Sequence, residues 1–274
     1  MRVALAQLAP VPGDVARNVE RVAEVVRGAP SDLAVFPELY LSGYRIGDRI
    51  HQLALRAGDA PTERLRTVAR DSGTPILVGT AIASDDRAGE LYNAALLVHP
   101  SGDLSVQRKR YLPNFGPFEE GVPFTATDAS VPVAVEGSAV GLEICYDTFF
   151  PEVSRDLALG GASLLVVISA SPVTSRRLFE RLLPARAIEN GLPVVYVNRV
   201  GVEDGIVFGG GSGAWDVRGE PIEAETVRLP GLGPEEAVTR VEVDLSEPGR
   251  WRPFRPVLRD VAARPKPAAP SSSP

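Results

Sequence analysis

One cysteine, one glutamate and one lysine in this chain each stand where a strand-like run ends, and together they could carry out acyl transfer. Cys145 is the only cysteine among 274 residues. It follows Ser138-Ala-Val-Gly-Leu-Glu-Ile144 and precedes Tyr146-Asp-Thr-Phe-Phe-Pro-Glu152. The apolar run reads as a strand and the Pro-Glu step as a helix start, so the thiol is expected at the carboxyl edge of a sheet. Ligands of layered α/β folds bind along that edge, and a helix N-terminus beside the sulfur is expected to favour the nucleophilic thiolate. Lone cysteines are more often small hydrophobes of the core. What argues otherwise here is the company. Glu38 closes the run Leu33-Ala-Val-Phe-Pro-Glu-Leu39, and Lys109 follows a strand ending at Gln107. A glutamate after a strand is usually a solvated turn residue, and Arg-Lys-Arg is usually a surface patch. Together the three segments put a thiol, a carboxylate and an ammonium at three strand ends.

The usual partner of a nucleophilic cysteine is histidine, and there are two. His51 lies in a polar stretch and His99 precedes the turn Pro100-Ser-Gly102. Neither stands at a strand end suited to Cys145, so the expected base is a carboxylate. One cysteine and two scattered histidines offer no zinc spacing, and no acidic calcium loop is present, so no metal or other cofactor is expected. Gly209-Gly-Gly211 lacks the Lys-Ser/Thr of a phosphate loop and precedes a strand, which makes it a turn.

The pattern along the chain is that of an α/β protein. Val3–Leu8, Leu33–Phe36, Ile76–Ile82, Asn93–Val98, Ser163–Ser169 and Leu192–Val197 read as strands. Gly13-Asp14 opens a helix with Val15, Val19, Val22 and Val26 on one face; Pro61–Ser72, Phe149–Leu159 and Ser175–Asn190 are further helices. Alternation of strands and helices implies helix layers around sheets. Residues 1–260 form one expected domain, and 261–274 form a Pro/Ser-rich tail expected to be disordered. A net charge of −6 with no gathered basic run argues against nucleic acid. No stretch approaches the roughly 18 apolar residues of a membrane span, and the N-terminal run reads as a core strand. A single cysteine suits a reducing compartment, so a cytoplasmic protein is expected.

Phe36-Pro-Glu-Leu39 with Ser42-Gly-Tyr44, Arg108-Lys109 with Leu112-Pro113, and Ile144-Cys-Tyr-Asp147 with Phe150-Pro-Glu152 occur in this order. The set resembles the nitrilase superfamily of carbon–nitrogen hydrolases. Arg186-Ala187 with Glu189-Asn190, and Val197-Asn198 with Gly201, extend the resemblance. The resemblance implies a four-layer αββα sandwich and a Glu38-Lys109-Cys145 triad. It also implies a second glutamate at Glu120, with Glu119 as its near rival. Relatives of this kind pair into homodimers or larger homo-oligomers, which here would use Phe149–Leu159, Ser175–Asn190 and a non-helical stretch near Trp251-Arg-Pro-Phe254. The implied reaction needs no cofactor: Glu38 as base, Cys145 as nucleophile, and Lys109 with the Tyr146 N–H at the oxyanion.

Two branches of the superfamily are in view. Leu112-Pro-Asn-Phe115, Ser169-Ala-Ser-Pro172 and Val194-Val-Tyr-Val-Asn198 look like the glutaminase domain of glutamine-dependent NAD synthetase. Leu41-Ser-Gly-Tyr44 with Gly47-Asp48, Cys145-Tyr-Asp147 and Pro184-Ala-Arg-Ala187 look like stand-alone bacterial aliphatic amidases. The sequence ends where a synthetase domain would begin. Tyr146 stands where the glutaminases commonly carry a glutamate for glutamine's ammonium, a contact worth roughly 1.5–3 kcal/mol. The expected substrate is therefore a small carboxamide, with Tyr146 and Phe115 as substrate-binding residues. A glutaminase, an ω-amidase and an N-carbamoyl amine hydrolase would keep the same triad.

Overall fold

Short apolar runs flanked by amphipathic ones fold into two facing sheets in the computed structural model, which describes residues 1–263. The first strands are β1 (Arg2–Gln7), β2 (Leu33–Val35), β3 (Ile76–Ala83), β4 (Leu91–Val98) and β5 (Leu104–Arg108). Then come β6 (Val133–Val135), β7 (Ser138–Ile144), β8 (Leu164–Ser169), β9 (Val194–Asn198) and β10 (Val200–Glu203). The last are β11 (Ile206–Gly209), β12 (Gly213–Trp215), β13 (Ala224–Val227) and β14 (Ala237–Glu242). One sheet runs β13-β14-β1-β2-β3-β4-β5, the other β12-β9-β8-β7-β6, and β10 pairs with β11 alone. The helices are α1 (Val15–Gly28), α2 (Ile50–Leu53), α3 (Ala60–Ser72), α4 (Pro151–Leu159), α5 (Arg176–Asn190), α6 (Glu247–Trp251) and α7 (Val257–Ala262).

Three apolar seams hold four layers together. In β1, Val3 and Leu5 face the second sheet, packing with Leu142, Ile144, Val166 and Val195. The alternate residues Ala4 and Ala6 face Val19, Val22 and Val26 of α1 and Leu65 of α3. This period-two alternation with both faces buried is why the strand has no polar side. On the far side, Leu165, Val167 and Val194 meet Val153 and Leu157 of α4 and Phe179 and Leu183 of α5. The fold is thus the expected αββα sandwich. Each valine that α1 buries contributes about 1.5–3 kcal/mol, and Asp14 caps that helix by accepting from the Arg17 N–H.

Topology gathers the strand ends. β1, β2 and β3 are mutually parallel, and β5 regains their direction after two antiparallel steps. Glu38, beyond β2, and Lys109, beyond β5, therefore leave the same edge. In the second sheet β7, β8 and β9 are parallel, so Cys145, Ser169 and Asn198 share an edge as well.

Some sequence expectations shift. The helix after the cysteine starts at Pro151, because Cys145–Phe149 forms a 3₁₀ turn first. Of the stretch expected to be non-helical, only Trp251 is helical, closing α6, which tolerates Pro248 in its first turn, where no helical N–H is needed. Trp251 there stacks with Arg218 and Arg255 of its own chain, while Phe254 is 82% exposed. α7 carries regular structure past the expected boundary at 260, and residues 264–274 of the expected tail lie outside the described residues. Strands β6, β10 and β13 were not legible; each has only three or four residues. Among the described residues no helix is long and apolar enough to cross a membrane.

Gly79 of β3 fixes where Glu38 stands. A Cβ there would lie 2.3 Å from the Pro37 carbonyl oxygen and 2.4 Å from Glu38 Cα. The Gly79 N–H donates to Pro37 O at 3.0 Å, so the chain beyond β2 crosses directly over this glycine. Both obstacles are backbone and cannot swing aside. Gly79→Ala is expected to cost about 1–3 kcal/mol in urea unfolding and to lower turnover, because Glu38 must move. Gly58→Ala, which meets nothing within 4 Å, is the control. Wild-type turnover in Gly79→Ala would contradict this.

Candidate active site

Glu38, Lys109 and Glu120 converge in a buried array between the sheets. The Lys109 Nζ donates to Glu38 Oε1 at 2.6 Å and to Glu120 Oε1 at 2.7 Å, and neither Lys109 nor Glu38 is exposed. Asn93 in β4 donates through Nδ2 to Glu38 Oε1 at 2.7 Å and Glu120 Oε2 at 3.1 Å. The Ala170 N–H, just past β8, donates to Glu38 Oε2 at 2.8 Å. Tyr44 donates its hydroxyl to Glu120 Oε1, and its own N–H to Glu203 Oε1 at 2.8 Å. Both carboxylates are thus held by donors, as buried charges require.

Electrostatics follow from that geometry. Burial alone would pull the Lys109 pKa down, but the carboxylates of Glu120 and Glu38 outweigh it and raise the pKa, keeping the ammonium protonated. Glu120 is pushed above the usual carboxylate range by burial, opposed by Lys109. The Cys145 thiol is pushed well up, by burial first and by Glu38 second. This corrects the sequence expectation of a thiolate favoured by a helix N-terminus. The helix begins six residues further on, and a 3₁₀ turn supplies no comparable dipole. The sulfur keeps its proton until a base removes it. Cys145 has a φ of +48°, in the left-handed region, which points its side chain out of the strand line.

All four expected catalytic positions are together. Glu38, Lys109 and Glu120 bond directly, and the same three charges bear on the Cys145 thiol. Glu119, the rival of Glu120, is exposed and, among the described residues, its carboxylate reaches only Arg45, at 3.9 Å. Tyr146 and Phe115 meet edge to face at 5.2 Å. They belong to an aromatic arc running Tyr44, Phe118, Phe115, Tyr146, Phe149, from the Glu120 side to the Cys145 side. Neither lines the neighbouring cavity of about 540 Å³, whose walls include Leu39, Tyr44, Ile50, Glu120 and Phe124. His51 also lines that cavity, and His99 lies against Ser105 in the hairpin. Among the described residues no group of three or more His, Cys, Asp or Glu could hold a metal ion.

Sequence reasoning missed Asn93, although its signal was present: an amide inside an otherwise apolar strand. It had no signal for the Ala170 N–H, a backbone donor placed by topology alone.

Residues 2–253 match the carbon-nitrogen hydrolase family. The chain belongs to that family. Among its carbon–nitrogen hydrolase relatives is an (R)-stereoselective amidase of a Pseudomonas species, 36% identical over 90% of this chain and 86% of that one. The glutamine-dependent NAD(+) synthetase of Thermotoga maritima is 37% identical over 90% of this chain, which spans only 42% of that relative's length. An amidase from a Nesterenkonia species superposes with a TM-score of 0.76 at 30% identity, covering 93% of this chain and 94% of that one. A mutant of a Nesterenkonia amidase has been solved with acrylamide added at its active-site cysteine. Both branches read in the sequence thus appear among the relatives of this hydrolase.

Removing the ammonium would leave two buried carboxylates facing each other. Lys109→Ala is expected to lose about 3–5 kcal/mol of stability at pH 8. The loss should shrink at pH 5, because a carboxyl with a raised pKa takes up a proton there and sheds its charge. Urea unfolding at the two pH values checks this; an equal deficit at both would contradict it.

Proposed function

We propose that this carbon–nitrogen hydrolase is an amidase that converts a small linear, non-peptide carboxamide to its acid and ammonia through a thioester on Cys145. The observation that carries the reading is a buried ammonium clamped by Glu38 at 2.6 Å and Glu120 at 2.7 Å, beside a thiol that burial pushes toward its neutral form. A thiol held neutral needs a general base, and the array supplies a carboxylate.

In this reading Glu38 takes the Sγ proton as sulfur bonds to the amide carbonyl carbon. The oxygen takes up negative charge, stabilised by Lys109 and by the Tyr146 N–H. Collapse breaks the C–N bond, Glu38 returns the proton to nitrogen, and ammonia leaves a thioester. Water, deprotonated by Glu38, adds to that thioester; the C–S bond breaks, and the thiolate recovers the proton. Glu120 holds Lys109 throughout and keeps its charge paired.

The amide is preferred over free glutamine because Tyr146, packed edge to face on Phe115 at 5.2 Å, stands where the glutaminases commonly carry an acid. The likeness to the amidases supports the same choice. The likeness to NAD(+) synthetase makes a glutaminase the second reading. Ammonia release over aliphatic amides, glutamine, ω-amides and N-carbamoyl amines separates them. An aliphatic amide is expected to exceed glutamine in kcat/KM by at least about tenfold, with a single acyl adduct trapped on Cys145 and none in Cys145→Ala. Glutamine as best substrate would replace the amidase reading with the glutaminase one. Undiminished turnover by Cys145→Ala would remove the thioester altogether.

A further inference from the structure

Asp147 is buried, carries a carboxyl group, and takes part in none of the steps above. It lies two residues past Cys145 in the 3₁₀ turn. Its Oδ1 accepts from the backbone N–H of Tyr111 at 2.9 Å and of Arg110 at 3.1 Å. Its Oδ2 accepts from the Ile144 N–H at 3.3 Å and shares the Arg110 N–H at 3.4 Å. Arg110 and Tyr111 follow Lys109 on the segment leaving β5. Ile144 precedes Cys145 at the end of β7. These strands lie in different sheets, so no ladder of hydrogen bonds sets one against the other. One carboxylate grips the backbone next to both groups.

We propose that Asp147, as the carboxylate, is a positioning residue that holds Lys109 in register with Cys145, so that the ammonium meets the oxygen of a carbonyl bound to sulfur. The rest of the surroundings leave its charge lightly supported. Burial pushes the carboxyl up to about 7, against the pull of Lys109 and of the Tyr111 and Ile144 N–H groups, and with the repulsion of Glu143 on β7. The guanidinium of Arg110 is turned to Asp156 on α4 at 2.8 Å. Arg186 on α5 pairs with Glu189 at 3.0 Å and donates to the Thr148 carbonyl at 2.9 Å. Protonation at Oδ2, the oxygen with the longer bonds, sets a hydroxyl against the Ile144 N–H and releases the cysteine end of the link. The ionised fraction grows as pH rises through about 7, so the link closes on the alkaline side.

Asp147→Asn keeps the shape and an acceptor for Tyr111, but sets an NH₂ against Ile144 at every pH. At pH 8.5 its kcat is expected to fall about tenfold with KM little changed, since a small misplacement costs rate more than binding. At pH 6 wild type and variant should agree within about twofold, because both then lack the Ile144 link. Iodoacetamide should still alkylate Cys145 in the variant. A ratio constant from pH 6 to pH 9, or loss of alkylation together with turnover, would overturn the proposal. Should the variant not fold, hydrogen exchange on the wild type decides. Protection of the Ile144 N–H, corrected for intrinsic rate, should be lower at pH 6 than at pH 8, and equal protection refutes the link. Alkylation and exchange need no substrate, so a wild type that cleaves no amide would sink the amidase reading while leaving this test standing.

Discussion

A single buried ammonium organises this molecule. Lys109 has no exposure, and its charge is tolerable only because two carboxylates lie within 2.7 Å of it. Those carboxylates are in turn tolerable only with the ammonium between them. Each partner comes from a separate part of the chain: Glu38 from the end of β2, Lys109 from beyond β5, and Glu120 from the loop after it. The requirement that buried charges be paired thus constrains how the seven-stranded sheet must be threaded. It also explains why Gly79 must be glycine, since any side chain there would push Glu38 out of the array.

The second sheet brings the thiol to the array and adds one backbone donor to it, the Ala170 N–H on Glu38. Cys145 emerges from β7 in a left-handed conformation, with its proton retained by burial and by the nearby carboxylates. A reactive group that stays neutral at rest, next to a fixed base and a fixed cation, becomes a strong nucleophile only as the base takes its proton. The apolar seam between the sheets, built from alternate residues of β1, β7, β8 and β9, packs together the two sheets that carry the halves of the site.

Much of this was legible in the sequence, for physical reasons. Apolar runs such as Leu164–Ser169 are long and unbroken because both faces are buried, and the valine stripe of α1 repeats with the helix period. Glu38 and Cys145 were visible because each follows an apolar run, and Lys109 because it follows a strand-like one. Strands β6, β10 and β13 were not visible, because three or four residues carry too little of a period. The state of the thiol was misread: Pro151 was correctly seen as a helix start, but the intervening 3₁₀ turn takes the dipole away from the sulfur. Asn93 was marked as an amide in an apolar strand, but its partners, and the role of the Ala170 N–H, depend on which strands become neighbours, a long-range outcome that local pattern does not encode.

The central claim is that Glu38, Lys109 and Cys145 act as one unit, and a double-mutant cycle on kcat tests it most directly. Glu38→Gln and Lys109→Ala should each lower kcat by about three orders of magnitude or more, and the double variant should lie close to the worse of the two. Losses that multiply, so that the double variant falls by the product of the single effects, would show independent roles and contradict the account.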